Sequence, residues 1–336
     1  MKNNQIKIKI KDFKQAVESI SHHIHTVEFT IFRSELIIEA VGLIGDENMF
    51  IQKVVPLEFK FTSPSEKNII LDKHKARGIL KLDKDFILDF ENKTVVCDTI
   101  VISQANFDRS YYPQEDIYIT SFSLPQVIKD NITKIINMAD TNGVLFDLNT
   151  KEKNLNIVGT DSKILGRLST QVNINNIDIE AENNIKTILS AKLLKIIDWA
   201  LVYGVKIYSK SVTLECFNNV TYHIDTMAGT YPRYNNILQP ICKAPDILKI
   251  NTKLFLEVVN KAIKVGENSV DIEIVTNNKH SVKIYADAEY LQKALAHSSE
   301  VAKIIFCDNN SPFIISDENK NIRVAVIPMP ILYGTE

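Results

Sequence analysis

The chain has 336 residues, with 39 Lys+Arg against 41 Asp+Glu for a formal charge of −2, and it is 45% hydrophobic and 24% charged. At roughly 100–200 residues per domain, two or three domains with ample core are expected, which excludes a disordered chain, a single small module and a uniformly basic nucleic-acid coat. No apolar run approaches the ~20 residues that cross a bilayer, and the start MKNNQIKIKIKDFK lacks a signal-peptide core, so a cytoplasmic protein without membrane contact is expected.

In chain order, apolar recurrence at helical spacing predicts helices over 11–25, 71–82, 124–138, 190–202, 251–266 and 287–299. In the fifth, Leu254, Phe255, Val258, Val259, Ala262 and Ile263 form one apolar face, while Lys253, Lys261 and Lys264 lie on the other. Alternating segments at 35–44, 86–103, 143–160, 205–217, 269–286 and 303–329 predict hairpins of antiparallel sheet, punctuated by Asn, Asp, Gly and Lys turns. The order strand, helix, strands, helix, strands recurs three times with a period of about 120 residues. This predicts an α+β protein of three tandem units, 1–117, 118–241 and 242–336, with joins at 111–119 and 239–247. The third unit is shortened: 20 residues (267–286) separate its helices, against 45 (26–70) and 51 (139–189) in the first two.

Residue chemistry argues against an enzyme. No G-x-S-x-G, G-x-x-x-x-G-K-[ST] or G-x-G-x-x-G occurs, and ten glycines leave little for phosphate-cradling loops. Cys97, Cys216, Cys242 and Cys307 form no CxxC pair and read as small buried hydrophobes. His22, His23 and His25 project in different directions on a helix and lack a completing ligand, so neither a metal nor a cofactor is expected. Asp161 reads as the opening residue of a turn, and Trp199 as core.

Charge is segregated. The six helical stretches carry a net +6 and the rest of the chain −8. This points to a basic helical surface on an acidic body, or to lysine-rich faces that are merely solvated. Only six of the 39 basic residues are arginine, the usual reader of guanine edges, so any contact with nucleic acid is expected to be sequence-blind and salt-sensitive.

The segments SFSLPQVIKDNITKIINMA and GVLFDLNTKEKNLNIVGTDSKILGRLS (121–169), TYPRYNNIL (230–238) and AEYLQKALAHSSEVAKIIFCDNNSPFIISDENKNIRVAVIPMPI (288–331) resemble, in order, the bacterial DNA polymerase III beta subunit, the replicative sliding clamp. The likeness is strongest at the TD-x-x-x-L turn, the YP-x-Y segment and the VIPMPI ending, and residues 1–117 match by pattern more than by motif. The resemblance implies a non-catalytic processivity factor: a head-to-tail homodimeric ring that encircles double-stranded DNA and tethers its partners. These would be the polymerase III catalytic subunit, the clamp loader and other proteins bearing a clamp-binding motif.

It further implies that Lys14, Lys73, Lys75, Arg77, Lys129, Lys134, Lys192, Lys195, Lys253, Lys261 and Lys264 face DNA. A hydrophobic peptide groove would be built from Thr160, Ser162, Lys163, Ile164, Leu165, Pro232, Asn236, Ile237, Tyr290, Asn310, Pro312, Ala325, Ile327, Pro328 and Met329. Ile100 and Ile102 would meet Ile263 and Val265 at the dimer interface, or else pack in the core. The chain departs from the family where Ser162, Lys163 and Ile164 replace the usual glycine, histidine and arginine, and where PILYGTE (330–336) runs past the usual terminus. The shortened third unit leaves open a clamp-derived interaction scaffold that is not loaded onto DNA.

Overall fold

A computed structural model describes residues 5–32, 34–44, 47–57, 67–103, 105, 116–140, 143–177, 184–239, 245–264, 269–275, 281–296, 298–307, 311–317 and 322–328. The first run of elements is β1 (Gln5–Ile8), α1 (Ile10–Val17), β2 (Ile24–Phe32), β3 (Glu35–Ile44), β4 (Glu47–Pro56), β5 (Lys67–Asp72), α2 (Lys73–Leu82), β6 (Phe86–Asp89), β7 (Thr94–Cys97) and β8 (Ile100–Ser103). The second is β9 (Tyr118–Ser123), α3 (Gln126–Ile136), β10 (Val144–Asn149), β11 (Asn154–Thr160), β12 (Ile164–Gln171), β13 (Asn173–Ile177), β14 (Asn184–Leu189), α4 (Ala191–Leu194), β15 (Val202–Tyr208), β16 (Ser211–Cys216) and β17 (Val220–Asp225). After a short α5 (Tyr234–Ile237) come β18 (Asp246–Asn251), α6 (Thr252–Lys264), β19 (Ser269–Val275), β20 (Ser281–Asp287), α7 (Ala288–Leu295), β21 (Val301–Phe306), β22 (Phe313–Asp317) and β23 (Ile322–Val326). The order therefore recurs three times, as the spacing predicts. Among the described residues the third run has two strands between its helices where the others have four and five.

Two compact units result. One comprises Met1–Leu124, Ile174–Ala181 and Lys192–Thr226; the other Pro125–Asn173, Glu182–Ala191 and Met227–Glu336. The first holds a nine-stranded sheet ordered β13-β9-β15-β16-β17-β4-β3-β2-β5 and a four-stranded sheet β1-β6-β7-β8. The second holds an eight-stranded sheet β14-β10-β11-β12-β23-β22-β21-β18 and the hairpin β19-β20. Antiparallel ladders between β17 and β4 and between β12 and β23 join strands of successive runs, so each unit takes part of the second run.

In the first unit, Phe13 of α1 stacks on Phe29 at 5.8 Å between ring centroids and meets Phe86 edge-on at 5.5 Å. All three rings are buried, a large apolar payload for one α1–sheet contact. In the second unit, Ile128, Ile132, Ile135 and Ile136 of α3 are fully buried, and α3 packs on β11 and β12. Fully burying such a side chain is worth roughly 1.5–3 kcal/mol, so this stripe is a principal anchor of the helix. Gly159 and Gly166, directly opposite each other on β11 and β12, let α3 come this close. Aspartates cap two helices alike: Asp72 accepts from the His74 and Lys75 amides at the start of α2, and Asp287 from those of Glu289 and Tyr290 at the start of α7.

Several sequence expectations need correction. The helix expected over 11–25 ends at Val17 with a 3-10 turn at Glu18–Ile20, because β2 enters its ladder at Ile24. The helix expected over 190–202 is only Ala191–Leu194. There the Trp199 indole donates to the Leu194 carbonyl at 3.1 Å, Asp198 Oδ1 accepts from the Ala200 amide at 3.2 Å, and β15 starts at Val202. Trp199 is core, as expected. The apolar stripe of α6 is only partly covered: Val259 is buried, whereas Leu254 and Val258 are 61% and 56% exposed, because the neighbouring α7 covers one side of it. Cys97 and Cys216 are buried and not disulfide-bonded, but Cys307 is half-buried at the end of β21 and disulfide-bonded, a proximity that sequence spacing does not report. Cys242 lies outside the described residues.

Candidate functional site

The TD turn closes the β11–β12 hairpin in the second unit. Asp161 Oδ1 accepts from the Lys163 and Ile164 amides at 3.1 and 3.0 Å, so the aspartate does open a turn, and Ser162 sits at φ +76°. Thr160 is buried, its hydroxyl donating to the Ile164 carbonyl at 2.8 Å and accepting from the Ser162 amide at 3.2 Å. The side chains of Ser162 and Lys163 are left exposed at the rim.

Strand alternation then sorts the residues that follow. Ile164, Gly166 and Leu168 share the α3 face of β12, on which a Cβ at Gly166 would meet Met138 and Ile135. Leu165 and Arg167 take the opposite face. There Leu165 lies across from Ala325 of β23, which lies across from Ile314 of β22. These three join Leu145, Val158, Tyr234 and Leu238 in one buried cluster, with Tyr231, Ile188 and Ile305 packed at its margin. The YP-x-Y segment is thus laid over this sheet face through Tyr234 and Leu238, with Pro232, Asn236 and Ile237 exposed beside it.

On the far side, the Ile327 amide donates to the Lys163 carbonyl at 3.0 Å, continuing the β12–β23 ladder and leaving the Ile327 side chain 48% exposed next to a buried Pro328. Tyr290 of α7 is half-buried, with Lys163 Nζ 5.7 Å and Lys293 Nζ 5.0 Å from its ring centroid. Pro312 is half-buried just before β22. Asn310 and Met329 fall outside the described residues. The fold therefore places Leu165 and Ala325 in one buried cluster, with Ile237 exposed next to Leu238, Ile327 exposed two residues past Ala325 and Lys163 near the Tyr290 ring, whereas Ile164 points to the α3 side.

Buried polar groups hold this face rigid. Tyr234 donates to Asp147 Oδ2 at 2.8 Å; burial first, then that carboxylate, raise its pKa. Tyr231 donates to the Val158 carbonyl at 2.9 Å, and burial raises its pKa as well. Burial, followed by Asp161, raises the pKa of Tyr290. Two residues beyond Leu165, Arg167 lies directly across from Arg323, and desolvation followed by the Arg323 charge lowers its pKa. No local sequence pattern marks this pair; their equal offsets from Leu165 and Ala325 become visible only with the ladder register.

The basic residues divide into two sets. Lys73, Lys192, Lys195, Lys253, Lys261 and Lys264 are exposed. Others are engaged: Lys14 pairs with Asp83 at 2.8 Å, Lys75 with Asp72 at 3.5 Å and Lys134 with Asn131 Oδ1 at 2.6 Å, while Arg77 donates to the Ser21 and His22 carbonyls. Lys129 is half-buried. Ile100 is 45% exposed and Ile102 half-buried on β8, an edge of the four-stranded sheet. Ile263 is half-buried on α6, and Val265 lies outside the described residues. Among the described residues, no helix is long and apolar enough to cross a membrane and no group of three or more His, Cys, Asp or Glu side chains gathers as a metal site.

No protein-family model matches the chain, and no curated protein matches it by sequence. Solved structures do. The Helicobacter pylori beta clamp bound to a DNA ligase peptide superposes with a TM-score of 0.78 at 16% identity, over 98% of this chain and 100% of that one. The Pseudomonas aeruginosa DNA polymerase III subunit beta gives 0.75 at 16%, over 97% and 100%, and the Bacillus subtilis DNA polymerase sliding clamp 0.75 at 16%, over 97% and 99%. Over nearly its whole length, this chain has the fold of a bacterial DNA polymerase beta clamp.

Proposed function

We propose that the protein is a DNA sliding clamp: a non-catalytic processivity factor that encircles duplex DNA and holds the replicative polymerase III catalytic subunit, the clamp loader and other partners by short peptides. The observation that carries this reading is a buried apolar cluster on a clamp fold that includes Leu165 and Ala325, with Ile237 and Ile327 exposed close in sequence to its members. Exposed isoleucines beside a rigid, buried cluster suit the anchor side chain of a linear peptide, because burying them on binding recovers hydrophobic free energy without reorganising the site. The similar H. pylori beta clamp binds a DNA ligase peptide, which supports assigning peptide docking to this protein.

In this reading the chain comprises three clamp domains, 1–117, 118–241 and 242–336, and acts as a cytoplasmic head-to-tail homodimer. β8, the terminal strand of its sheet among the described residues, with Ile100 and Val101 exposed, is where a second copy would add. The exposed Lys73, Lys192, Lys195, Lys253, Lys261 and Lys264 supply loose phosphate contacts that permit sliding. The test is topological. Loaded by its clamp loader onto a nicked circular plasmid, the protein stays bound, and linearising the plasmid releases it at least about tenfold faster. Equal retention on circle and blunt-ended line would refute encirclement. An Ile237→Ser/Ile327→Ser variant folds normally and fails to retain polymerase; undiminished retention would remove the groove assignment.

A further inference from the structure

Beyond the apolar cluster, the same sheet face changes character within one residue pair. Arg167 stands opposite Arg323, and Arg323 opposite Ser316 of β22. Both arginines line an open cleft of about 360 Å³ with Ser169, Thr170, Ser316 and Asp317. Like charges directly opposite on antiparallel strands repel each other, and neither arginine makes an ion pair among the described residues, although Asp317 is among the residues lining the cleft. Arg323 makes no hydrogen bond or ion pair there. Arg167 makes only a long one, Nη1 to Asn235 Oδ1 at 3.4 Å, and its Nε is buried without an acceptor. Asp317 turns its carboxylate to Ser299, accepting from the hydroxyl at 2.9 Å and from the backbone amide. Two of only six arginines in the chain therefore meet where a donor is left unsatisfied, and the planar guanidinium fork is the side chain suited to two-point recognition of a carboxylate or phosphate.

We propose that this cleft receives the carboxylate of an acidic residue in the same extended peptide whose apolar anchor docks on the neighbouring Ile237 and Ile327. The proposal rests on the peptide-groove reading and adds a charge specificity to it. Leu165 and Arg167 are two residues apart on one strand face, about 6.6 Å, so an Asp or Glu one or two positions from the anchor reaches the pair. A peptide carboxylate is favoured over a phosphate for two reasons. The cleft begins two residues from Leu165 on the same strand face, and no lysine is among the residues that line it.

The experiment uses the full chain and two fluorescein-labelled peptides by anisotropy, one with a Leu-Phe anchor beside Glu and Asp, the other with Gln and Asn in their place. The acidic peptide is expected to bind about tenfold more tightly. Arg167→Gln or Arg323→Gln should erase that preference while leaving the amide peptide's affinity unchanged, which also shows that the variant is folded. If both peptides bind equally, and Ile327→Ser still abolishes binding, the carboxylate assignment is overturned and the groove stands. If neither peptide binds, both are overturned. If Arg323→Gln weakens a duplex DNA fragment more than the acidic peptide, the pair serves phosphate and the proposal fails.

Discussion

Gly159 lies against the backbone of α3, which makes it a sharp test of the packing. A Cβ added there would sit 2.2 Å from the Ile135 carbonyl oxygen and 3.2 Å from both the Ile135 carbonyl carbon and Cγ2. The obstacle is helix backbone, which cannot rotate aside, so Gly159→Ala must lift α3 from β11 by about 1 Å. Ile128, Ile132, Ile135 and Ile136 share that contact with zero exposure. Overpacking costs about 1–3 kcal/mol where side chains yield; with backbone in the way, a loss of about 3 kcal/mol or more is expected. Two other glycines calibrate the argument. At Gly166 the new Cβ meets Met138 Sδ at 2.4 Å, the flexible part of a thioether, and Gly166→Ala should cost about 1 kcal/mol. At Gly78, inside α2, nothing lies within 4 Å, and Gly78→Ala should stabilise the first unit by about 0.5–1 kcal/mol. Urea unfolding followed by circular dichroism, with hydrogen exchange of β10–β12 to isolate the second unit, measures all three. A Gly159→Ala loss below about 1 kcal/mol, or one equal to that of Gly166→Ala, would refute the close-approach reasoning.

Burial holds the His223 imidazole at a pKa of about 4, with Lys206 adding to the effect; its Nδ1 lies 2.9 Å from Thr213 Oγ1 and its ring 5.3 Å from that of Phe50. A histidine lowered on folding leaves the unfolded chain with more bound protons between about pH 4 and 6.5, so this contribution is complete above pH 6.5 and fades as pH falls toward 4, by on the order of 3 kcal/mol. A His223→Gln variant should flatten that part of the stability–pH curve, and an unchanged slope would show that the ring titrates freely. At the TD turn, Asp161→Ala removes the acceptor of two amides and should cost about 1–2 kcal/mol by thermal unfolding. Ser162→Gly, by contrast, should gain up to about 1 kcal/mol, since φ +76° disfavours any side chain. Replacing Lys253, Lys261 and Lys264 together with Gln should reduce the slope of log affinity for duplex DNA against log salt by about 0.9 for each phosphate no longer neutralised; an unchanged slope would take α6 off the DNA.

The threefold element order, the shortened third run, the turn role of Asp161 and the core position of Trp199 were all legible in the chain. Each depends on 3.6- or two-residue periodicity or on local hydrogen bonding, physics that acts within a few residues. The buried cluster of Leu165, Tyr234 and Ala325 was partly legible, through the TD and YP-x-Y segments. What the linear order does not carry is which face each residue takes relative to a distant strand. Leu165 meets Ala325 from a remote part of the chain, and the same β12–β23 register that builds the cluster sends Ile164 to the α3 side and sets Arg167 against Arg323. Likewise, the α6 periodicity announces an apolar stripe but not that Leu254 and Val258 stay exposed, because its cover comes from α7, a separate helix. Short-range periodicity therefore determined most of the elements and their threefold order, but not the lengths of α1 and α4. Long-range strand register and helix docking decided the site, because both depend on contacts between parts of the chain that share no local signal.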